Sequence, residues 1–215
     1  TCSTIQMVVA LKPIHDAAKI KRIIVSTYQA VSGAGKDGIE ELEREVKEYV
    51  KGGIDPKDLD VEKAFPYPIA FNCIPHIDSF LEDGYTKEEM KMVNETRKMF
   101  HDDSLAINAT TVRVPVFRSH SESITIETEH PISPEEAREI LSKAPGIILV
   151  DNCQNKEYPM AIHSSGTNEV YVGRIRKDIS SENGLSMWVV ADQLRKGAAT
   201  NAIQIAELIV AQDNE

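Results

Sequence analysis

Cys2, Arg113 and His120 are the side chains best equipped for covalent, ionic and proton chemistry in this 215-residue chain. Thr1 is a ready N-cap and the residues after Cys2 have helical spacing, so Cys2 falls in the first turn of a helix, where the helix dipole favours a thiolate. His120 follows a β-rich run on the turn Arg118-Ser-His-Ser121, and an imidazole there can take and return a proton near neutral pH. Arg113 lies inside that run, and its planar fork suits bidentate binding of a carboxylate. Glu88 and Lys91, three residues apart, share one face of a helix. Each residue also has a plainer reading. A helical cysteine is usually a small buried hydrophobe, an arginine can cap a sheet face, and a histidine can be an ordinary turn residue. Glu88 with Lys91 would by default be a surface ion pair worth about 0.3 kcal/mol. Residue types alone leave both readings open.

The elements that must position these groups are legible from periodicity. Residues 3–12 place Ile5, Val8, Val9 and Lys12 at helical spacing, with Pro13 as the predicted stop. Arg22 to Tyr28 is short and β-branched, so it reads as a strand, and the Gly-rich loop Ser32-Gly-Ala-Gly35 follows it and opens a second helix. That helix runs from Lys36 to Val50 with Ile39, Leu42, Val46 and Tyr49 as its apolar stripe, its Glu-rich stripe over 40–48 as a solvated face, and Gly52-Gly53 as its end. Residues 53–80, rich in Pro, Gly and Asp, read as an irregular excursion. Thr86-x-x-Glu89 is a capping box for a helix that carries Met92, Val93, Thr96, Met99 and Phe100 and ends near His101. Leu105 to Phe117 reads as a strand with Val112, Val114 and Val116 on one face and Thr111 and Arg113 on the other. Ser123 to Glu129 reads as its antiparallel partner. Ser133-Pro-x-Glu136 caps a helix through Ala144. Strands over 147–150, 169–176 and 185–191 and a last helix over 197–211 complete an α+β domain with a mixed, largely antiparallel sheet covered by helices.

The chain is 41% hydrophobic, enough for one sizeable core, and one domain spanning residues 1–215 is expected. No run approaches the roughly 18 apolar residues of a bilayer span, and the N-terminus lacks a signal-peptide pattern, so a soluble, cytosolic protein without membrane contact is expected. The formal charge of −10 disfavours nucleic acid as a partner. Cys2, Cys73 and Cys153 lack metal-ligand spacing and are odd in number, which points to reduced thiols and to no metal site. Cys73, Cys153, His76 and His163 are taken as structural.

Seven segments, in order, resemble the aspartate-β-semialdehyde dehydrogenase family. They are Cys2 to Leu11, Val25 to Gly35, Asn72 to Asp78, Glu88 to Lys91, Arg113 to His120, Gly173 to Arg176 and Trp188 to Ala199. The resemblance runs over nearly the whole chain. It implies a fold like the C-terminal domain of glyceraldehyde-3-phosphate dehydrogenase. It also implies NADPH-dependent reductive dephosphorylation of L-aspartyl-β-phosphate to the semialdehyde, a small-molecule reaction in lysine, methionine and threonine synthesis. By resemblance, Cys2 is the acylated nucleophile, His120 the acid/base histidine and Gln29 the residue that orients the reacting group. Arg113 would bind the substrate α-carboxylate, Glu88 its α-ammonium and Lys91 its phosphate. Ser32, Gly33, Gly35 and Gln193 would line the nicotinamide side, and the domain would form most of a homodimer contact.

Two departures qualify this. The family carries Asn before the nucleophile, where Thr1 stands here. Ser32-Gly-Ala-Gly35 is not the GxGxxG fingerprint of a dinucleotide-binding domain, which the family places before the nucleophile. The chain is therefore expected to be a fragment, inactive alone, whose last helix (about 197–212) normally packs on the absent nucleotide-binding domain. The competing readings are a related acyl-phosphate or acyl-thioester reductase, such as an N-acetylglutamyl-phosphate reductase, and a non-catalytic dimerisation fragment.

Overall fold

The strand β1 (Ile20–Gln29) is the pivot of the fold, because its β-branched residues are flanked on both sides by other strands in the computed structural model, which describes residues 1–60 and 64–212. The other strands are β2 (Ala106–Arg113), β3 (His120–Thr128), β4 (Ile147–Leu149), β5 (Val170–Lys177) and β6 (Gly184–Ala191). Among the described residues they form one sheet in the order β2-β1-β3-β6-β5-β4. The β1/β2 and β4/β5 pairs are parallel, and the other three pairs are antiparallel. The mixed, largely antiparallel α+β class expected from the sequence is therefore the one observed.

The predicted hairpin between Leu105–Phe117 and Ser123–Glu129 does not form. β1 is inserted between β2 and β3, so Gln29 pairs with Arg113 on one side while Tyr28 pairs with Ser121 on the other. Adjacency in sequence suggested the hairpin, but the parallel β1/β2 contact needs a long crossover. The helices α2 (Gly35–Gly52) and α3 (Lys87–Phe100), with the irregular excursion between them, supply it. That excursion is irregular where it is described; residues 61–63 lie outside the described residues.

One sheet face is covered by α1 (Cys2–Ala18), by α3 and by α4 (Pro134–Lys143), and Met7, Leu11, Ile14, Met92 and Leu141 are packed there without solvent contact. Each such side chain contributes about 1.5–3 kcal/mol of burial. α1 corrects two expectations. It does not stop at Pro13 but continues to Ala18, and its buried stripe is Met7, Ala10, Leu11, Ile14 and Ala18 rather than Ile5, Val8, Val9 and Lys12. Burial of Ile14 and Ala18 carries the helix past a residue that lacks an N–H. The polar residues Ser3, Thr4 and Gln6 on the inner face hide the true stripe from an apolar count.

Both capping boxes are present in full, Thr86 with Glu89 and Ser133 with Glu136. His101 and Gly53 take left-handed conformations that end α3 and α2. The Glu-rich face of α2 is not wholly solvated, since Glu41 and Glu45 are buried. Glu41 accepts from the backbone N–H of Ala64 at 2.8 Å, and Glu45 from those of Ile69 and Ala70 at 2.9 and 2.7 Å. An irregular segment has no ladder for its amides, so the carboxylates serve as their acceptors.

The opposite sheet face is less covered. Ile24 and Tyr28 of β1 are exposed, and Tyr28 packs on Trp188 of β6 with ring centroids 5.3 Å apart. A cavity of about 420 Å³ on this side is lined by Ser121, Ser123, Met160, Arg174 and Trp188 among others. After the short helix α5 (Ala161–Ser164) and the last two strands, the described residues finish in a π turn (Arg195–Ala199) and the helix α6 (Thr200–Gln212), in which Ile203, Ile205, Leu208, Ile209 and Val210 are all exposed.

Candidate active site

A single row across three neighbouring strands holds three of the expected site residues. Arg113 ends β2, its partner Gln29 ends β1, and His120 begins β3, with Gln29 and His120 side chains 3.3 Å apart at Nε2 of each. His120 is thus the first residue of a strand and not part of a turn. Arg113 points into the protein with Ala109 and Thr111, while Val112 is only half-buried, so the expected alternation is present and the face with Thr111 and Arg113 is the inner one. Polar residues occupy the inner face because it ends in the site.

His120 is buried and its protonation is fixed by geometry. The backbone N–H of Ala30 donates to Nδ1 at 3.0 Å. A backbone amide can only donate, so the neutral ring carries its proton on Nε2. An imidazolium would need a proton where the Ala30 N–H already points. Burial, and then the nearby Arg113 charge, hold the imidazole well below its ordinary range. The result is a neutral ring whose Nε2–H faces the Gln29 amide nitrogen, itself a donor, so their 3.3 Å approach is a contact between two donors and not a hydrogen bond.

Arg113 is 6% exposed, and burial lowers its affinity for the proton, with Cys2 and Glu88 opposing. A guanidinium has five N–H donors and stays charged in proteins. The described residues give it one hydrogen-bond acceptor, Ala30 O at 2.6 Å, and a ring contact, Phe65, with its centroid 5.8 Å away. No carboxylate among the described residues forms an ion pair with it. Gly33 makes room for it: a side chain there would bring Cβ to 2.7 Å from Arg113 Nη1 and 3.1 Å from His120 Cε1.

Cys2 is in the first turn of α1, but the thiol is pushed up by burial and next by the Glu88 charge, so in the protein as it stands the helix N-terminus does not yield a ready thiolate. Its side chain meets Thr1 Oγ1 at 4.0 Å, and no hydrogen bond among the described residues links it to His120. Gly197 lies directly against it. A Cβ on Gly197 would fall 2.6 Å from Cys2 Cβ and 3.1 Å from Cys2 Cα. Gly197 does not need a left-handed φ, so space beside the nucleophile is the physical reason for glycine in this turn. The sequence reading missed it. The available signal was a glycine within a run of helix formers, which costs about 1 kcal/mol relative to Ala unless packing requires it.

Glu88 is buried near the N-terminus of α3, where Thr1 Oγ1 donates to it and Gln29 Nε2 lies 3.5 Å from its Oε1. Lys91 Nζ is 3.9 Å from its Oε2 but closer, at 2.8 Å, to Asp78, which raises the lysine and lowers the aspartate from their ordinary values. Asp78 carried no assigned role in the sequence. Of the four residues assigned to the nicotinamide side, Gly33 and Gly35 form an exposed backbone ledge. Ser32 and Gln193 are buried and paired with one another, and Gln193 Oε1 also accepts from the Ser119 N–H at 3.0 Å. Cys73 and Cys153 are exposed free thiols. No group of three or more metal-ligating side chains occurs among the described residues, and no helix among them is long and apolar enough to cross a membrane.

The model of the semialdehyde dehydrogenase dimerisation domain matches residues 11–196, a span that contains Gln29, Glu88, Lys91, Arg113, His120 and Gln193 and begins after Cys2. The chain is 64% identical to an aspartate-semialdehyde dehydrogenase of Aquifex aeolicus over 97% of its own length and 60% of that protein's. Among solved structures it is similar to aspartate semialdehyde dehydrogenase II of Vibrio cholerae complexed with ASA. There the TM-score is 0.92 and the identity 50%, over 98% of this chain and 61% of that one. It shares its fold with the Candida albicans enzyme described with NADP, at TM-score 0.70 and 24% identity, over 99% of this chain and 57% of that one. The chain spans about three fifths of the length of the curated relatives it matches. On the strength of the matched span and the shared fold, the chain belongs to the semialdehyde dehydrogenase family, in its dimerisation domain.

Proposed function

We propose that the full-length polypeptide carrying this chain is an aspartate-semialdehyde dehydrogenase and that these residues form its catalytic and dimerisation domain. The reaction is reductive dephosphorylation of L-aspartyl-β-phosphate through a thioester on Cys2. The observation that carries the reading is Arg113, a buried cation beside Cys2 and Glu88 that has no ion-pair partner among the described residues. An uncompensated buried charge costs several kcal/mol, and a substrate carboxylate on its free N–H groups removes that cost.

Glu88 then has two effects. Without substrate, burial and after it the Glu88 charge push the Cys2 thiol up. An α-ammonium paired with Glu88 removes the second of these, which favours the thiolate when the correct substrate is bound. His120, neutral with its proton on Nε2, donates a hydrogen bond to the oxygen on which charge develops, and Gln29 positions the same group. Lys91 supplies positive charge for the phosphate. NADPH, when bound, supplies a hydride to the acyl carbon. The exposed backbone of Gly33 and Gly35 would lie against the nicotinamide, and the Gln193–Ser32 pair holds the loop that carries it. We assign the less covered sheet face around Tyr28 and Trp188 to a second copy of the chain, in keeping with the family's dimerisation domain. The exposed apolar side of α6 is assigned to the nucleotide-binding domain of the full-length enzyme.

The nearest rival, an N-acetylated substrate, has no ammonium for Glu88. In the full-length polypeptide, kcat/KM for aspartate semialdehyde is expected to exceed that for its N-acetyl counterpart by about 10³ or more, because the acetylated substrate puts an uncharged amide where Glu88 would take an ammonium. Steady-state rates on the two aldehydes decide it. Comparable turnover would overturn the assignment.

A further inference from the structure

Glu122 is fully buried on β3, and among the described residues neither of its carboxyl oxygens has a partner at good hydrogen-bond geometry, with the Gln6 side chain its polar neighbour. It lies two residues after His120 on the same inner face of the sheet, opposite Thr27 of β1 and Val189 of β6. The helix packed over this region, α1, presents Ser3, Thr4, Gln6 and Met7, none of them charged. His120 is the nearest titratable group along the strand, and its cationic form is disfavoured. Among the described residues no cation on the elements around Glu122 offsets a negative charge; burial pushes its carboxyl well above the usual range, and the neighbouring Gln6 side chain, as a donor, opposes this.

Gln6 supplies the connection. Its Nε2 donates to the backbone carbonyl of His120 at 3.3 Å, and its Oε1 is buried with no partner. A carboxylate beside Gln6 could only accept, which would leave Oε1 unsatisfied; a carboxylic acid can donate to it. We propose that Glu122 is an uncharged carboxylic acid that donates its O–H to Gln6 Oε1, so that Gln6 holds the His120 backbone and Glu122 acts as a positioning residue for His120. The chain runs from Glu122 O–H to Gln6 Oε1 and from Gln6 Nε2–H to His120 O. It complements the Ala30 N–H that fixes the ring at Nδ1. Backbone and ring are thereby restrained from opposite sides. The proposal rests on the catalytic reading of His120 given above.

The protonation state is testable whatever reaction the enzyme performs. With 13C-labelled glutamate, the full-length wild type at pH 7 should show an infrared C=O stretch of a protonated carboxyl that is lost in Glu122→Gln. Glu122→Gln should also raise Tm relative to wild type by an amount that grows as pH rises above about 4.5, the ordinary pKa of the unfolded carboxyl. The sign follows from the raised folded pKa. The stability contributed by the protonated form is fully present below the unfolded value and is lost progressively as pH rises towards the folded value.

The positioning role is read separately. Glu122→Gln should keep kcat within about threefold of wild type. Glu122→Ala and Gln6→Leu should each lower kcat about tenfold or more with KM little changed, and the double variant should be no worse than either single one. Absence of the infrared band, or a Tm difference that does not depend on pH, overturns the uncharged acid. Loss of kcat in Glu122→Gln equal to that in Glu122→Ala, or full kcat in Glu122→Ala, overturns the positioning role. Failure of the dehydrogenase reading itself would leave the infrared and Tm results unchanged.

Discussion

Cys2→Ala in the full-length polypeptide is expected to lower kcat by about 10⁶, the order of loss when a covalent nucleophile is removed from a preorganised site. The fold should be kept. Alanine retains the Cβ that packs against Gly197, and the thiol makes only a 4.0 Å contact with Thr1 Oγ1, so Tm should change little. Binding of the aldehyde should also survive, because Arg113 and Glu88 are untouched. Rapid-quench turnover with a parallel thermal melt reads both quantities. Activity within a hundredfold of wild type would move the covalent step to another residue.

Arg113→Lys is the second large effect. Lysine keeps the charge but not the planar fork, and here the plane is specified by three neighbours: Ala30 O, the Phe65 ring and Gly33. An ammonium cannot satisfy Ala30 and a carboxylate in the same geometry. kcat/KM is expected to fall about 10²–10⁴, corresponding to roughly 3–5 kcal/mol for breaking a buried charge pair. Steady-state kinetics on Arg113→Lys check this. A near-normal kcat/KM would show that Arg113 is a sheet-face cap, the plainer reading of its position.

Much of this arrangement was legible in the residues, and the parts that were not have physical reasons. Caps are local chemistry, so Thr86 with Glu89, Ser133 with Glu136, and the turn at Gly53 could be placed from a few neighbouring positions. Strand order is not local. The pairing of β1 with β2 depends on a crossover of some eighty residues, and no pattern within either strand distinguishes it from a hairpin between β2 and β3. Polarity misled in the same places where the site lies. Thr111 and Arg113 could be put on one face but not on the inner one, and Gln6 was passed over within a helix; all three are buried. Glu41, Glu45 and Glu122 show the same limit, since a glutamate on an alternating or helical pattern reads as solvated unless its acceptors or its proton have a buried partner. The resemblance supplied Gln29 and Glu88, whose spacing alone says little. The Ala30 N–H on His120 Nδ1, the Gly197 contact with Cys2 and the Lys91–Asp78 pair needed coordinates.

The expected behaviour of Cys2 follows from its surroundings. Cys2 is half-buried and held protonated by burial and Glu88, whereas Cys73 and Cys153 are exposed. The direct measurement is mass-spectrometric mapping of thiol modification in the full-length polypeptide under two reagents. A small neutral alkylating agent should modify Cys73 and Cys153 before Cys2. An electrophile built on the amino-acid skeleton of the substrate, with free α-ammonium and α-carboxylate, should modify Cys2 first and be blocked by added aspartate semialdehyde. The same order of modification with both reagents, or no protection of Cys2 by the aldehyde, would contradict a substrate site at Cys2 built by Arg113 and Glu88.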